Sequence, residues 1–184
     1  MSGSLGAVGE AKARATKHGL VHDEPGWFVV SAREERWASW DRLGLYCNFE
    51  GKKRFPQIGI NVNVLQPGES LGRYHAEKAQ EDFLVVSGEC MLVIDELERP
   101  LRAWDFVHCP PGVPHMIVGA GDGPSVVIAV GRRGVRGGIV YPVSEVARKH
   151  GVSVERDTTD PKEAYADLAG RERVRYEDGW LPDL

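Results

Sequence analysis

The reading of this 184-residue chain turns on two stretches. The first is Tyr74-His75-Ala76-Glu77-Lys78-Ala79-Gln80-Glu81-Asp82-Phe83-Leu84-Val85-Val86-Ser87-Gly88. The second is Asp105-Phe106-Val107-His108-Cys109-Pro110-Pro111-Gly112-Val113-Pro114-His115. Residues two apart on an extended strand share a face, so His75 and Glu77 point the same way, together with Arg73. After Lys78-Ala79-Gln80 the chain can bring Glu81 back to that side, with Phe83 and Val85 continuing its face. Pro110-Pro111-Gly112 is a stiff turn that delivers His115 at the start of a strand. Two imidazoles and two carboxylates gathered in this way are donor types that a divalent first-row metal takes. Each has a plainer reading. A single His-x-Glu on a strand is commonly a solvent-facing pair, and a single histidine after a Pro-Gly turn is commonly a surface one. The combination says more: a glutamate before the apolar run Phe83 to Val86, and a histidine before Met116-Ile117-Val118, is the pattern of polar groups facing a lined cavity.

Outward from these stretches the chain reads as short strands. Gln57 to Val64 alternates strictly, with Ile58, Ile60, Val62 and Val64 on one face and Gly59, Asn61 and Asn63 on the other. Asn61 and Asn63 line the cavity if the isoleucines pack outward, and are exposed if they do not. Phe83 to Val86, Met91 to Ile94, Pro100 to Ala103, Phe106 to His108, His115 to Val118 and Val126 to Val130 are further strand candidates. Turns such as Ser87-Gly88-Glu89 and Asp95-Glu96-Leu97-Glu98 separate them. Many short strands, with no long helical pattern between them, predict an all-β sandwich or barrel.

The ends differ from this middle. Residues 1–22 have weak periodicity and read as a flexible segment or loose helix. Trp27, Phe28, Trp37, Trp40 and Tyr46 form an aromatic arm that needs something to pack on, the core before a subunit contact. Ser144 is placed to cap a short helix running to His150, with Gly151 as its stop. Asp160-Pro161 opens a second helical stretch, predicted to reach about Leu168. Beyond Gly170 only the Trp180-Leu181 pair is expected to dock. Residues 154–184 carry nine acidic and five basic side chains, so this tail alone accounts for the net charge of −4. The rest of the chain is neutral overall, which argues against nucleic-acid binding. No apolar run is long enough to cross a bilayer and no secretory signal pattern opens the chain, so a cytoplasmic location is expected. Cys47, Cys90 and Cys109 have no disulfide or zinc-knuckle spacing, and Cys90 and Cys109 read as buried thiols.

The two stretches resemble the paired motifs of the cupins. The first motif runs Gly, five residues, His-x-His, three or four residues, Glu, six residues, Gly. Here Gly68 leads by one residue too many, His75 takes the first histidine position, Glu77 stands at the second, Glu81 takes the glutamate position and Gly88 closes the motif. In the second motif Trp104 stands in the glycine position, Pro110-Pro111-Gly112 and His115 match, and Gly119 replaces the asparagine.

The resemblance implies a double-stranded β-helix, the jelly-roll barrel, over residues 23–142, preceded by the N-terminal extension and followed by a helical acidic tail over 143–184. It implies one divalent metal ion, iron, manganese or zinc, on His75, Glu77, Glu81 and His115. If only one carboxylate binds, Glu77 becomes the candidate catalytic acid or base, and Arg73 is the candidate substrate ligand. It also implies a small-molecule ligand, no nucleic-acid or membrane partner, and a homodimer. Three functions stay open: a metal-dependent enzyme of dioxygenase or isomerase type, a non-catalytic module binding a sugar-like ligand, and a structural barrel with a vestigial site.

Overall fold

The computed structural model describes residues 8–135 and 137–183. Strands β1 (Ala13–Thr16) and β2 (Gly19–His22) form a separate hairpin. Then follow β3 (Trp37–Trp40), β4 (Gly44–Cys47), β5 (Ile58–Leu65), β6 (Glu81–Ser87), β7 (Glu89–Ile94), β8 (Leu97–Arg102), β9 (Phe106–Cys109), β10 (His115–Ala120) and β11 (Ser125–Arg132). The helices α1 (Glu145–Lys149) and α2 (Pro161–Ala164) and a last strand, β12 (Glu172–Val174), complete the chain. One sheet has seven strands in the order β12-β3-β4-β5-β11-β6-β9. The other has three, in the order β10-β7-β8. Leu65, Phe83, Val85, Val107 and Val127 of the first sheet meet Cys90, Leu92 and Ile117 of the second in one buried core. The protein is a double-stranded β-helix, as the motifs implied.

Local chemistry explains the tight corners. Asp95 and Glu96, between β7 and β8, both have positive φ (47° and 60°), the two-residue turn whose twist matches a hairpin. Gly88, between β6 and β7, has φ of 75°, and a Cβ there would lie 2.6 Å from the Pro124 carbonyl oxygen. Only glycine accommodates both demands.

β5 resolves the choice its alternation left open. Ile58 and Ile60 are exposed, whereas Asn63 is buried and donates from Nδ2 to the Val127 carbonyl at 3.2 Å. The isoleucines therefore face outward. α1 has the expected cap, Ser144 Oγ accepting from the Ala147 N–H at 3.0 Å. Asp160 caps α2, but that helix stops at Ala164 rather than near Leu168.

Two expectations about the ends are corrected. Residues 13–22 are a β-hairpin and not a loose helix, because their backbone groups pair with one another; residues 1–7 lie outside the described residues. The tail beyond Gly170 is not wholly unstructured, since β12 adds to β3 and extends the large sheet. Trp180 and Leu181 do dock. Trp180 meets fully buried Trp37 edge-on at 5.5 Å, beside Tyr176. Among the described residues no helix is long and apolar enough to cross a membrane.

Candidate metal centre

The two motif stretches are joined directly. His75 and His115 face each other as an antiparallel bridge, with His115 N–H donating to the His75 carbonyl at 2.9 Å and the reverse bond at 3.3 Å. The Gly112 N–H of the Pro-Pro-Gly turn donates to the Glu77 carbonyl at 2.7 Å. Glu81 opens β6, paired with Cys109 at the end of β9. Strand ends from both sheets thus converge on one place.

The side chains are held from behind. His75 Nδ1 lies 2.8 Å from the Arg73 carbonyl oxygen, and His115 Nδ1 lies 2.9 Å from that of Val113. A carbonyl only accepts, so each Nδ1 carries its proton and each Nε2 is turned forward. Both reach the same atom: Glu81 Oε2 is 3.3 Å from His75 Nε2 and 3.2 Å from His115 Nε2. The three ligand atoms all lie within 4.8 Å of one another, the one such grouping among the described residues. Glu77 stands beside this group, its Oε1 3.7 Å from His75 Nε2, and is not one of the three.

Electrostatics follow from the geometry. Burial works to raise the Glu81 carboxyl, but hydrogen bonds from His115 and His75 outweigh it and hold the group down at about 2. Burial works to lower His115, yet the neighbouring Cys109 and Glu81 raise it to about 9. His75 is raised in the same sense, Glu81 overcoming the effect of burial. Glu77 goes the other way from Glu81. Burial, and then the Glu81 charge, push its carboxyl above the ordinary glutamate value. Two carboxylates four residues apart are thereby driven in opposite directions.

Aromatic rings close the centre. Phe83 meets His115 edge-on at 5.4 Å, and Tyr141 lies 5.9 Å from the His75 ring. Burial raises the Tyr141 phenol, so it stays a protonated donor. Tyr141 was not singled out from sequence. It enters because the Val140 N–H donates to the Ala76 carbonyl, which lays the segment before α1 against the first motif. Nothing in the pattern around Tyr141 signals that approach.

Arg73 is placed differently from expectation. Its guanidinium is buried and points to the C-terminal segment, with Nε on the Ala164 carbonyl at 3.1 Å, Nη1 on that of Gly151 at 2.8 Å and Nη2 on Asp167. Residues 71–74 are bends between the bridges at Ser70 and His75, so Arg73 and His75 do not share a regular strand face. Its backbone carbonyl, not its guanidinium, meets the His75 ring. Gln80 is exposed, and His108 pairs with Asp82 at 2.7 Å.

A family model described as "Cupin domain" matches residues 61–131, the span that holds all three converging side chains. No curated protein matches the chain. Among solved structures, a putative sugar phosphate isomerase from Acidithiobacillus ferrooxidans is 27% identical over 46% of this chain and 54% of that chain, with a TM-score of 0.42. A sugar phosphate isomerase from a cupin superfamily, from Silicibacter pomeroyi, is 25% identical over 56% of this chain and 62% of that chain, with a TM-score of 0.45. A cupin 2 domain-containing protein from Halorhodospira halophila is 17% identical over 58% and 74%, with a TM-score of 0.47. The chain thus spans less than two thirds of the first two of these proteins.

Proposed function

We propose that this chain, in which residues 61–131 form a cupin domain, holds one divalent metal ion on His75, Glu81 and His115 and acts there on a small polar organic molecule. One observation carries the reading: both imidazoles are locked through Nδ1 to backbone carbonyls, and both Nε2 atoms converge on one carboxylate oxygen. Locked imidazole tautomers are what metal ligation requires. Two histidines and one carboxylate leave coordination positions open and suit iron, manganese or zinc. When bound, such an ion supplies Lewis-acid polarisation of a substrate oxygen or oxygen chemistry.

The protein's own groups do the rest. Glu77 stands outside the three-ligand set and takes the part of general base or acid, moving a proton at its carboxylate. Its upward shift brings it closer to working pH. Tyr141 offers a hydroxyl donor, and Phe83 keeps the His115 side of the centre apolar. The class of reaction is oxygenation or isomerisation. Glu77 at the place of a second histidine also favours a second reading, a module that binds a sugar-like ligand without turnover.

Metal analysis of protein purified without added metal tests the site. We expect about one ion per wild-type chain, and its loss in His75→Ala, His115→Ala and Glu81→Gln. Glu77→Gln keeps the metal. Oxygen uptake with a panel of phenols, diketones and thiols then separates oxygenase from binder, and Glu77→Gln lacks any turnover found. Equal metal content in wild type and the histidine variants would sink the assignment.

We also read the chain as a cytoplasmic homodimer. All three cysteines are free thiols, which suits a reducing compartment. Across the outer face of the large sheet, Val62, Ile128, Leu84 and Phe106 form one apolar row over four adjacent strands, with Ile60 beside it. Phe106 is 65% exposed and Ile60 39%. Val62, Ile128 and Leu84 are half-buried, and an apolar row that opens on exposed Phe106 and Ile60 is the surface we assign to self-association.

A further inference from the structure

A cavity of about 610 Å³ lies beneath the C-terminal segment, and none of His75, Glu81 and His115 lines it. Its volume is that of a small-molecule site. Its wall carries four arginines, Arg42, Arg73, Arg148 and Arg156, against three carboxylates, Glu155, Glu163 and Asp167. Of these, Arg156 pairs with Glu163 at 3.1 Å, and Arg42 also lies 3.6 Å from Asp41 outside the wall.

The pairing is uneven. Asp167 alone bridges two guanidiniums, one oxygen on Arg73 Nη2 and the other 2.8 Å from Arg42 Nη2. Arg73 is only 6% exposed, so its charge is held in a largely water-excluded place. Asp167 is itself more than half exposed. Arg148 pairs with Glu145, which is not part of the cavity wall. A single solvent-open carboxylate between two arginines, one of them buried, has the geometry of a replaceable anion.

We propose that this cavity binds a compact oxyanion of the phosphate class, which takes the place of the Asp167 carboxylate between Arg42 and Arg73. A phosphate group offers both guanidiniums more acceptor oxygens and more negative charge than the Asp167 carboxylate does. The site communicates with the metal centre through one residue. Arg73 accepts from His75 Nδ1 through its carbonyl at 2.8 Å, and its N–H donates to the Tyr165 hydroxyl at 3.1 Å. Exchange of the anion on the Arg73 guanidinium therefore acts on the backbone that orients the His75 ring. The binding site stands independently of the proposed metal site; only the functional meaning of the coupling rests on it.

The test is titration of metal-free, full-length protein with inorganic phosphate at constant ionic strength. Calorimetry reads affinity and the imidazole NMR signals of His75 read coupling. We expect millimolar or tighter binding. Arg42→Gln should weaken it about tenfold, and Asp167→Asn should tighten it about tenfold because the competing carboxylate is gone. If Asp167→Asn does not fold, Arg42→Gln and Arg156→Gln carry the test, since both side chains are largely exposed. Absence of binding at millimolar phosphate, or equal affinity in wild type and Arg42→Gln, overturns the site. Binding without movement of the His75 signals overturns the coupling. Neither result bears on the metal content, which the histidine variants test separately.

Discussion

Trp104 is the residue where sequence pattern and backbone disagree. It stands where the second motif carries glycine, and its φ is +74°. An L side chain in that region is strained, and this one gains little in return, being 74% exposed. Replacing it with glycine removes the strain and loses few contacts, while glycine's extra freedom in the unfolded chain takes back part of the gain. Trp104→Gly should therefore raise stability by about 1 kcal/mol, read as a higher urea midpoint with an unchanged slope. A lower midpoint would show that the exposed indole contributes contacts outweighing the strain. The same scale divides the two glutamates. Glu81 is held at about 2 by two imidazoles, whereas Glu77, four residues earlier, is raised by burial and by Glu81. Residue type and spacing made both candidates; only their surroundings drive the two carboxyls in opposite directions.

Among the elements, the C-terminal segment is tied to the barrel at three places. β12 extends the large sheet, Trp180 packs on Trp37, and Asp167 ties the segment after α2 to Arg73 and Arg42. The Arg73 guanidinium, then that of Arg42, hold the Asp167 carboxyl down at about 2 against its ordinary 3.8. The folded-state value is depressed, so the contribution is present above pH 3.8 and is lost as pH falls through about 2. Denaturation profiles between these limits should fall more steeply for wild type than for Asp167→Asn, which has no such proton to take up. Parallel profiles would remove the pair from the stability of this segment. Because Asp167 is largely exposed, water and salt screen the pair and its contribution is modest. The capping of α1 by Ser144 and of α2 by Asp160 was legible from sequence, since a cap is a local bond. The pairing of β12 with β3 was not, as those strands lie more than 130 residues apart.

For the whole molecule, the outer face of the large sheet is covered at Val64 and Val126, within the cluster that Trp180 and Leu181 join, and opens toward Ile58, Ile60 and Phe106. The row from Val62 to Phe106 crosses four strands and meets the exposed Trp104 at its margin, where the Trp104 N–H donates to Val85. Light scattering should give a dimer for wild type and a monomer for Phe106→Glu, a charge placed where the face is most exposed. A monomer in both would assign the face no role in self-association.

The sequence by itself determined the strand-rich middle, the turns that join it, the two helix caps and four candidate residues for the site, of which His75, Glu81 and His115 converge. These are set by alternation, by glycine and proline, and by fixed motif spacing, all of which act over a few residues. Tertiary structure alone decided that the isoleucines of β5 face outward, that residues 13–22 pair as a hairpin, that Tyr141 approaches His75, and that the Arg73 guanidinium turns to Asp167 instead of the metal centre. The physical reason is the same throughout. A side chain's local pattern states which surroundings it suits, but a buried charge or ring takes the partner that the closed barrel brings to it, and that partner lies far away along the chain.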